Sequence, residues 1–220
     1  LLGYLHFALW WGDILFLYAA VGLGALALRP LRTGGLIGAA LFAFATWQAM
    51  GLAESLPPVR AELHALAGHA TASEQALLDQ RERAVTERTA REMRTYRMGL
   101  GQQALTRLGE DPLFPLRVAM LSLGETLPYM LIGMALLRTG MFSGGWSRLR
   151  LAWLAAAGIG LGGAASLRFA LWAWHAHFPP EAMQLALNRL LGFPHLLMAL
   201  GYAALLVLAA PRLLATRLGR

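Results

Sequence analysis

GGLIGAALFAFATWQAMGLA, residues 34–53, runs for twenty residues without a charged side chain. An α-helix needs ~20 such residues to cross ~30 Å of hydrocarbon. The apolar residues do not alternate strictly with polar ones, as a barrel strand would require. A segment in lipid must satisfy its own backbone hydrogen bonds, so the stretch predicts a transmembrane helix. The run extends to about Ser55, and Pro57-Pro58 is expected to stop it.

Working outward, the pattern repeats. Residues 1–11 are apolar and read as the exit half of a helix, interrupted at Gly12-Asp13. Residues 14–28 form the next run and end at Arg29-Pro30. Further spans are expected over 113–137, 151–176 and 181–210, the last two separated by Pro179-Pro180. Pro194 should kink or restart the final one, and Pro211 should close it. The expected fold is an all-α polytopic bundle of about five spans plus a partial N-terminal helix. It forms one membrane domain over 1–220. Its parts are a first hairpin at 1–56 containing the Gly-Asp break, a polar helical insert at 57–112, three spans over 113–210, and the start of a next segment at 211–220. Leu1 already lies in an apolar run, and Gly219-Arg220 closely follows the last one, so membrane segments are expected beyond both ends.

Composition agrees. Hydrophobic residues make up 57% of the 220, and only 14% are charged. The mean hydropathy is +0.51, whereas a soluble domain is usually less than ~50% apolar. The net charge of +7 does not point to nucleic acid. The basic residues, all of them Arg, sit at the ends of apolar runs, and no basic surface studded with aromatics is present. With no cysteine, disulfides, thiolate metal sites and cysteine nucleophiles are excluded. Arg29 and Arg32, then Arg138, Arg148 and Arg150, then Arg212, Arg217 and Arg220 follow alternate spans in segments without acids. By the positive-inside rule, residues 29–33, 138–150 and 211–220 should be cytoplasmic. The insert would then face the periplasm or exterior, its eight arginines and eight acids over 59–112 cancelling.

The insert has structure of its own. Thr71-Ala72-Ser73-Glu74 has capping-box spacing. Asp79–Arg83 and Glu87–Arg91 are acid-before-base pairs four apart, which support an exposed helix, and Gly99 and Gly101 should end it. The insert reads either as a solvated or interfacial helix hairpin or as a lid. Elsewhere, Gly158 and Gly162 form a small-xxx-small pair suited to close helix packing.

Ionisable groups inside spans are costly, so they are the candidate site residues. Asp13, after Trp10, Trp11 and Gly12, reads as a helix cap or as a site carboxylate. His6 lies seven residues earlier, two turns along the same face if one helix continues. It reads as a packing residue or as a general base oriented by Asp13. Glu125 falls ~17 Å below the outer end of its span, with Arg168 and Arg189 at ~12 Å in theirs. A Glu125–Arg168 or Glu125–Arg189 pair would be either a structural ion pair or a carboxylate beside an anion-binding arginine. His195, after Pro194, is a packing residue or part of the substrate site. Glu181, Gln184 and Asn188 form a polar stripe at helical spacing. His175 and His177 share the outer rim with Trp172 and Trp174 as an aromatic belt, and no metal site is expected there. P-loop, HExxH and GxSxG patterns are absent.

Leu5-His6, then Trp10-Trp11-Gly12-Asp13-Ile14-Leu15 and Tyr18, resemble the signature of the YeiB-type family of bacterial inner-membrane proteins. Met130-Leu131-Ile132-Gly133-Met134-Ala135-Leu136 with Arg138 and Gly140 is a second likeness, and Gly201-Tyr202-Ala203 a third. Gly219-Arg220 looks like the start of that family's next block, and the likeness runs in order over nearly the whole chain. The resemblance implies a domain of unknown function. That domain is grouped distantly with membrane acyltransferases such as the acyltransferase-3 proteins and heparan-α-glucosaminide N-acetyltransferase. It implies an inner-membrane location and a missing upstream Asp-x-x-Arg-Gly block. It also implies transfer of an acyl group, from acetyl-CoA or another donor, to a sugar-like acceptor. On this reading His6 and Asp13 are catalytic, and Glu125, Arg168, Arg189 and His195 bind substrate. The lipid bilayer is the partner, with no bound cofactor and no nucleic acid. A small-solute carrier, with Glu125, Arg168 and the polar stripe lining a passage, is the alternative. A non-catalytic scaffold is the third reading.

Overall fold

The structure, a computed structural model, describes residues 2–9 and 14–214. Among these residues it is built of helices, with no strand. Two short apolar helices, α1 (Leu2–Leu9) and α2 (Leu15–Ala27), precede the long α3 (Thr33–Leu66). The polar helices α4 (Ala72–Tyr96) and α5 (Leu100–Glu110) follow, then α6 (Phe114–Arg138) and α7 (Arg148–His175). The chain ends its described part with α8 (Pro180–Leu185), a π-helical turn at Ala186–Leu190, and α9 (Gly192–Leu214).

Four helices, α3, α6, α7 and α9, are long and apolar enough to cross a membrane. The run expected as the first full span is α2, only 13 residues long. At ~1.5 Å per residue it reaches ~20 Å, short of a ~30 Å hydrocarbon core. Small residues and a few large ones pack between helices, while many other large ones face out. Ala25 of α2, Leu36 and Ala40 of α3, and Leu131 and Ala135 of α6 form one buried cluster. Leu151 and Ala155 of α7, Ala204 of α9 and Met141 form another. Phe42, Leu161 and Leu206 point outward and are largely uncovered. In water so much exposed apolar surface would drive aggregation, but in lipid it is the solvated face. The protein is an all-α, multi-pass membrane protein by fold.

Chain direction sorts the loops. The Arg138 guanidinium donates to the carbonyls of Leu31 at 2.6 Å and Arg29 at 2.5 Å, tying the end of α6 to the α2–α3 turn. Arg150 stacks on Trp146 with 3.7 Å between guanidinium carbon and ring centre. These arginine-rich turns share one end of the bundle, and α4, α5 and α8 gather at the other.

Pro57, Pro58 and Pro211 do not end their helices as expected. α3 passes through Pro57 and Pro58 and continues to Leu66, so the insert's first residues belong to the long helix. Each proline removes a backbone donor. Packing compensates beyond them: Val59 is buried with Ala182 and Leu185 of α8, and Ala61 and Glu62 are buried as well. α9 likewise runs through Pro211 to Leu214. The last segment does restart near Pro194, at Gly192, but the break itself is the π turn. The Thr71 capping box forms as the spacing predicts. The 79–83 pair does not form between side chains. Arg83 donates to the backbone carbonyl of Asp79 at 3.1 Å, while Arg88 and Glu92 make the exposed ion pair at 3.0 Å.

Candidate functional site

α2 and α6 run side by side and enclose a cleft of about 500 Å³ lined by Leu17, Tyr18, Glu125, Thr126, Tyr129 and Met130, with Ile14 at its edge. Pro128, buried within α6, cannot donate to the carbonyl four residues back, which belongs to Gly124. The backbone beside Glu125 is therefore already loosened. Glu125 makes no hydrogen bond or ion pair to any described residue. It lies ~20 Å along α6 from Arg138, exposed on the side of the helix that faces the cleft.

Arg189 occupies a separate node. The π turn carries one extra residue, closed by Leu191 N–H donating to Ala186 carbonyl at 2.9 Å, and it presents Arg189 to α3. Its guanidinium carbon stands 4.2 Å from the centre of the Trp47 ring. Gln48 donates to the Arg189 carbonyl at 2.6 Å. A Cβ at Gly51 would collide with Arg189 Nε and Cδ, and one at Gly124 would collide with Trp47. Trp47 therefore packs against Gly124 of α6 as well as under Arg189. Tyr129 leans on Phe44, with ring centres 6.3 Å apart, and its hydroxyl donates to the Gly192 carbonyl at 3.5 Å.

At the insert end, Glu62 is 8% exposed and accepts from the amides of Glu181 at 2.9 Å and Ala182 at 2.8 Å. Arg81 of α4 donates to the Glu181 carboxylate at 2.7 Å. His64 Nδ1 lies 2.8 Å from Glu74, whose other oxygen accepts from the Thr71 amide and hydroxyl, both at 2.9 Å. The Thr71 amide first, then its hydroxyl and His64, hold the Glu74 carboxyl well below the ordinary carboxylate value, at about 2. A depressed folded value means the contribution is complete above the unfolded value of ~4.3 and is lost as pH falls through the folded one. The capping box should stay closed at pH 4 and open as pH falls through about 2. Carboxyl carbon shifts of Glu74 will report this, and an ordinary titration near ~4.3 would contradict it. A wider cleft of about 580 Å³ lies under α4, lined by Arg88, Arg91 and Arg107 against Glu87, Glu92, Glu110 and Asp111. Both signs of charge are mixed along its wall, so it offers no single-sign site.

The residues marked by sequence are scattered. Asp13 lies outside the described residues. His6 is on α1, which does not continue into α2 as one helix. α1 packs back on α2 with the Gly3 backbone against that of Phe16, and Tyr4 and Phe16 meet edge to face. The relation of His6 to Asp13 lies outside the described residues. Arg168 is exposed on α7 without a partner among the described residues, and His195 is exposed in the first turn of α9. Glu125 pairs with neither Arg168 nor Arg189. Of the polar stripe, Glu181 is taken by Arg81, while Asn188 donates to Gln184 at 3.2 Å on an exposed face. Sequence reading passed over Trp47, Gln48, Glu62 and Tyr129. None has a local motif, and only contacts across the fold give them roles.

Comparison of the chain with protein families, with curated proteins and with solved structures finds no match. Fold and site together define a class, a multi-pass helical membrane protein in which an exposed carboxylate on α6 and a half-buried guanidinium beside α3 have no ion-pair partner among the described residues.

Proposed function

We propose that the chain is part of a bacterial cytoplasmic-membrane acyltransferase that works in the cleft between α2 and α6. One observation supports this above others. Ile14 and Tyr18 come from the first stretch that resembles the YeiB-type family and Met130 from the second, and these three residues line one cleft with Glu125, which has no partner among the described residues. Segments more than a hundred residues apart in sequence converge on the group best suited to act as a base. In this reading the acceptor's hydroxyl or amine gives its proton to Glu125 while its oxygen or nitrogen bonds to the acyl carbonyl carbon. The bond from that carbon to the donor's leaving group breaks, and the leaving group takes up a proton. The donor, acetyl-CoA or a similar acyl carrier, is a substrate and not a resident cofactor. The exposed Arg29 and Arg32 at the arginine-rich end would draw its phosphates by charge. That end is cytoplasmic and the α4–α5 end periplasmic in this reading. The acceptor is a sugar-like envelope component.

The test is label transfer from radiolabelled acetyl-CoA in membranes holding the full-length protein. Wild type should label an envelope fraction, and Glu125→Gln should lower the rate ~100-fold or more. No transfer by wild type, or equal transfer by the variant, rejects the proposal. The π turn supports a second reading, since carriers build sites at interrupted helices. It predicts solute flux into proteoliposomes that Glu125→Gln abolishes, with no label transferred.

A further inference from the structure

A guanidinium in an apolar bundle is usually held by an acceptor. Arg138 spends its donors on two backbone carbonyls, Arg81 on Glu181 and Arg117 on Asp111. Arg189 is different. Trp47, Gln48 and Gly51, spaced to lie along one side of α3, build a cradle for it. The indole carries its flat face, the missing side chain at position 51 admits Nε and Cδ, and Gln48 fixes the backbone from which it projects. Its position is thus set without any bond to its N–H edge. No described residue accepts from that edge, and the side chain is only half buried. Arg168, also without a partner among the described residues, has no such cradle and is simply exposed.

An arginine immobilised by stacking, with its fork of donors unspent, is organised for a planar pair of oxygens. Depth selects the kind. Trp47 lies ~21 Å along α3 from the arginine-rich end. In a ~30 Å hydrocarbon layer Arg189 then sits within ~10 Å of the opposite interface, where phosphates are the abundant oxyanions. We propose that Arg189 is a phosphate-binding site, formed by the π turn and the Trp47–Gln48–Gly51 face. The phosphate is either that of a lipid headgroup entering from the bilayer or that of a water-soluble compound entering from the α8 end. The site does not depend on acyl transfer in the α2–α6 cleft, because Trp47 and Gly124 stand between the two.

The experiment uses the full-length protein, ¹⁵N-labelled at arginine, in a maltoside micelle free of phosphate. The Arg189 Nε signal is assigned by its loss in Arg189→Lys. Glycerol phosphate is added in one arm and short-chain phosphatidic acid in the other, with diacylglycerol as the uncharged control. A saturable shift of that signal is expected in at least one phosphate arm and none with diacylglycerol. A response to glycerol phosphate identifies a soluble ligand, and a response to phosphatidic acid alone identifies a lipid. Melting temperature gives a second readout for the variants. Stabilisation by the responding phosphate should need at least ~10-fold more ligand in Arg189→Lys, which keeps charge but loses the fork. Gly51→Ala keeps the arginine but displaces it, and should weaken binding similarly. Silence in both phosphate arms, or equal binding by wild type, Arg189→Lys and Gly51→Ala, overturns the proposal.

Discussion

Gly158→Leu is expected to separate α7 from α9 and to cost the folded state more than ~3 kcal/mol, at or beyond the upper end for overpacked sites. The two helices cross with Gly158 against Gly201 and the Leu197 carbonyl, and Gly162 against Met198 and the Pro194 carbonyl. A Cβ on Gly158 meets backbone, which cannot rotate aside as a side chain would. The helices would have to part along a contact that also holds Leu151, Ala155 and Ala204. Lipid tails are as apolar as leucine, so no hydrophobic force pulls the helices back together and close packing is what holds them. Gly160 supplies the control. It lies two residues away in the same helix, and nothing stands within 4 Å of its Cβ direction. Gly160→Leu should change stability by under ~0.5 kcal/mol. Unfolding in maltoside by increasing fractions of dodecyl sulfate measures both. Equal midpoints for the two variants would show that the α7–α9 crossing is not held by its glycines.

That crossing was legible in the sequence because its signal is local, two glycines one turn apart in an uncharged run. The capping box at Thr71 was legible for the same reason. So was the all-α class, since a charge-free twenty-residue stretch in lipid leaves its backbone few other solutions. Readings failed where distant contacts outweigh local preference. Pro57 and Pro58 should end a helix, yet residues beyond them are buried against α8, and that burial keeps the backbone helical. The π turn has no local signature in the sequence, and only the packing of Arg189 on α3 gives it a reason. At the candidate site, depth along a helix was readable but direction around it was not. Glu125 and Arg189 do approach the same level, but the Trp47 ring under Arg189 packs on Gly124, and Glu125 opens instead towards α2.

Glu62→Ala should destabilise the protein by ~3–6 kcal/mol, the sum of two charge-assisted hydrogen bonds at ~1.5–3 kcal/mol each. The first turn of any helix leaves amides without partners, and a side chain at the N-cap normally accepts from the second or third. α8 has Pro179 at its N-cap, which offers no side-chain acceptor. The two amides are those of Glu181 and Ala182, and both are satisfied by a carboxylate from 119 or more residues earlier in the chain. The same carboxylate meets the positive end of the helix, which adds to the attraction. Alanine would leave two amides unpaired next to Val59, Ala182 and Leu185, where water has little access. Glu62→Gln keeps an acceptor of the same shape without the charge, so it should lose roughly half as much. The loss should spread to the insert, because Arg81 holds α4 to Glu181, and Glu181 is placed by Glu62. Hydrogen exchange of the full-length protein in micelles tests both parts. In Glu62→Ala the amides of 181 and 182 should exchange at least ~100-fold faster, as a loss near 3 kcal/mol implies. Amides across α4 should follow to a smaller degree. Protection unchanged at 181 and 182 would mean that the buried carboxylate is not what holds the start of α8, and that α3 extends past its prolines for another reason.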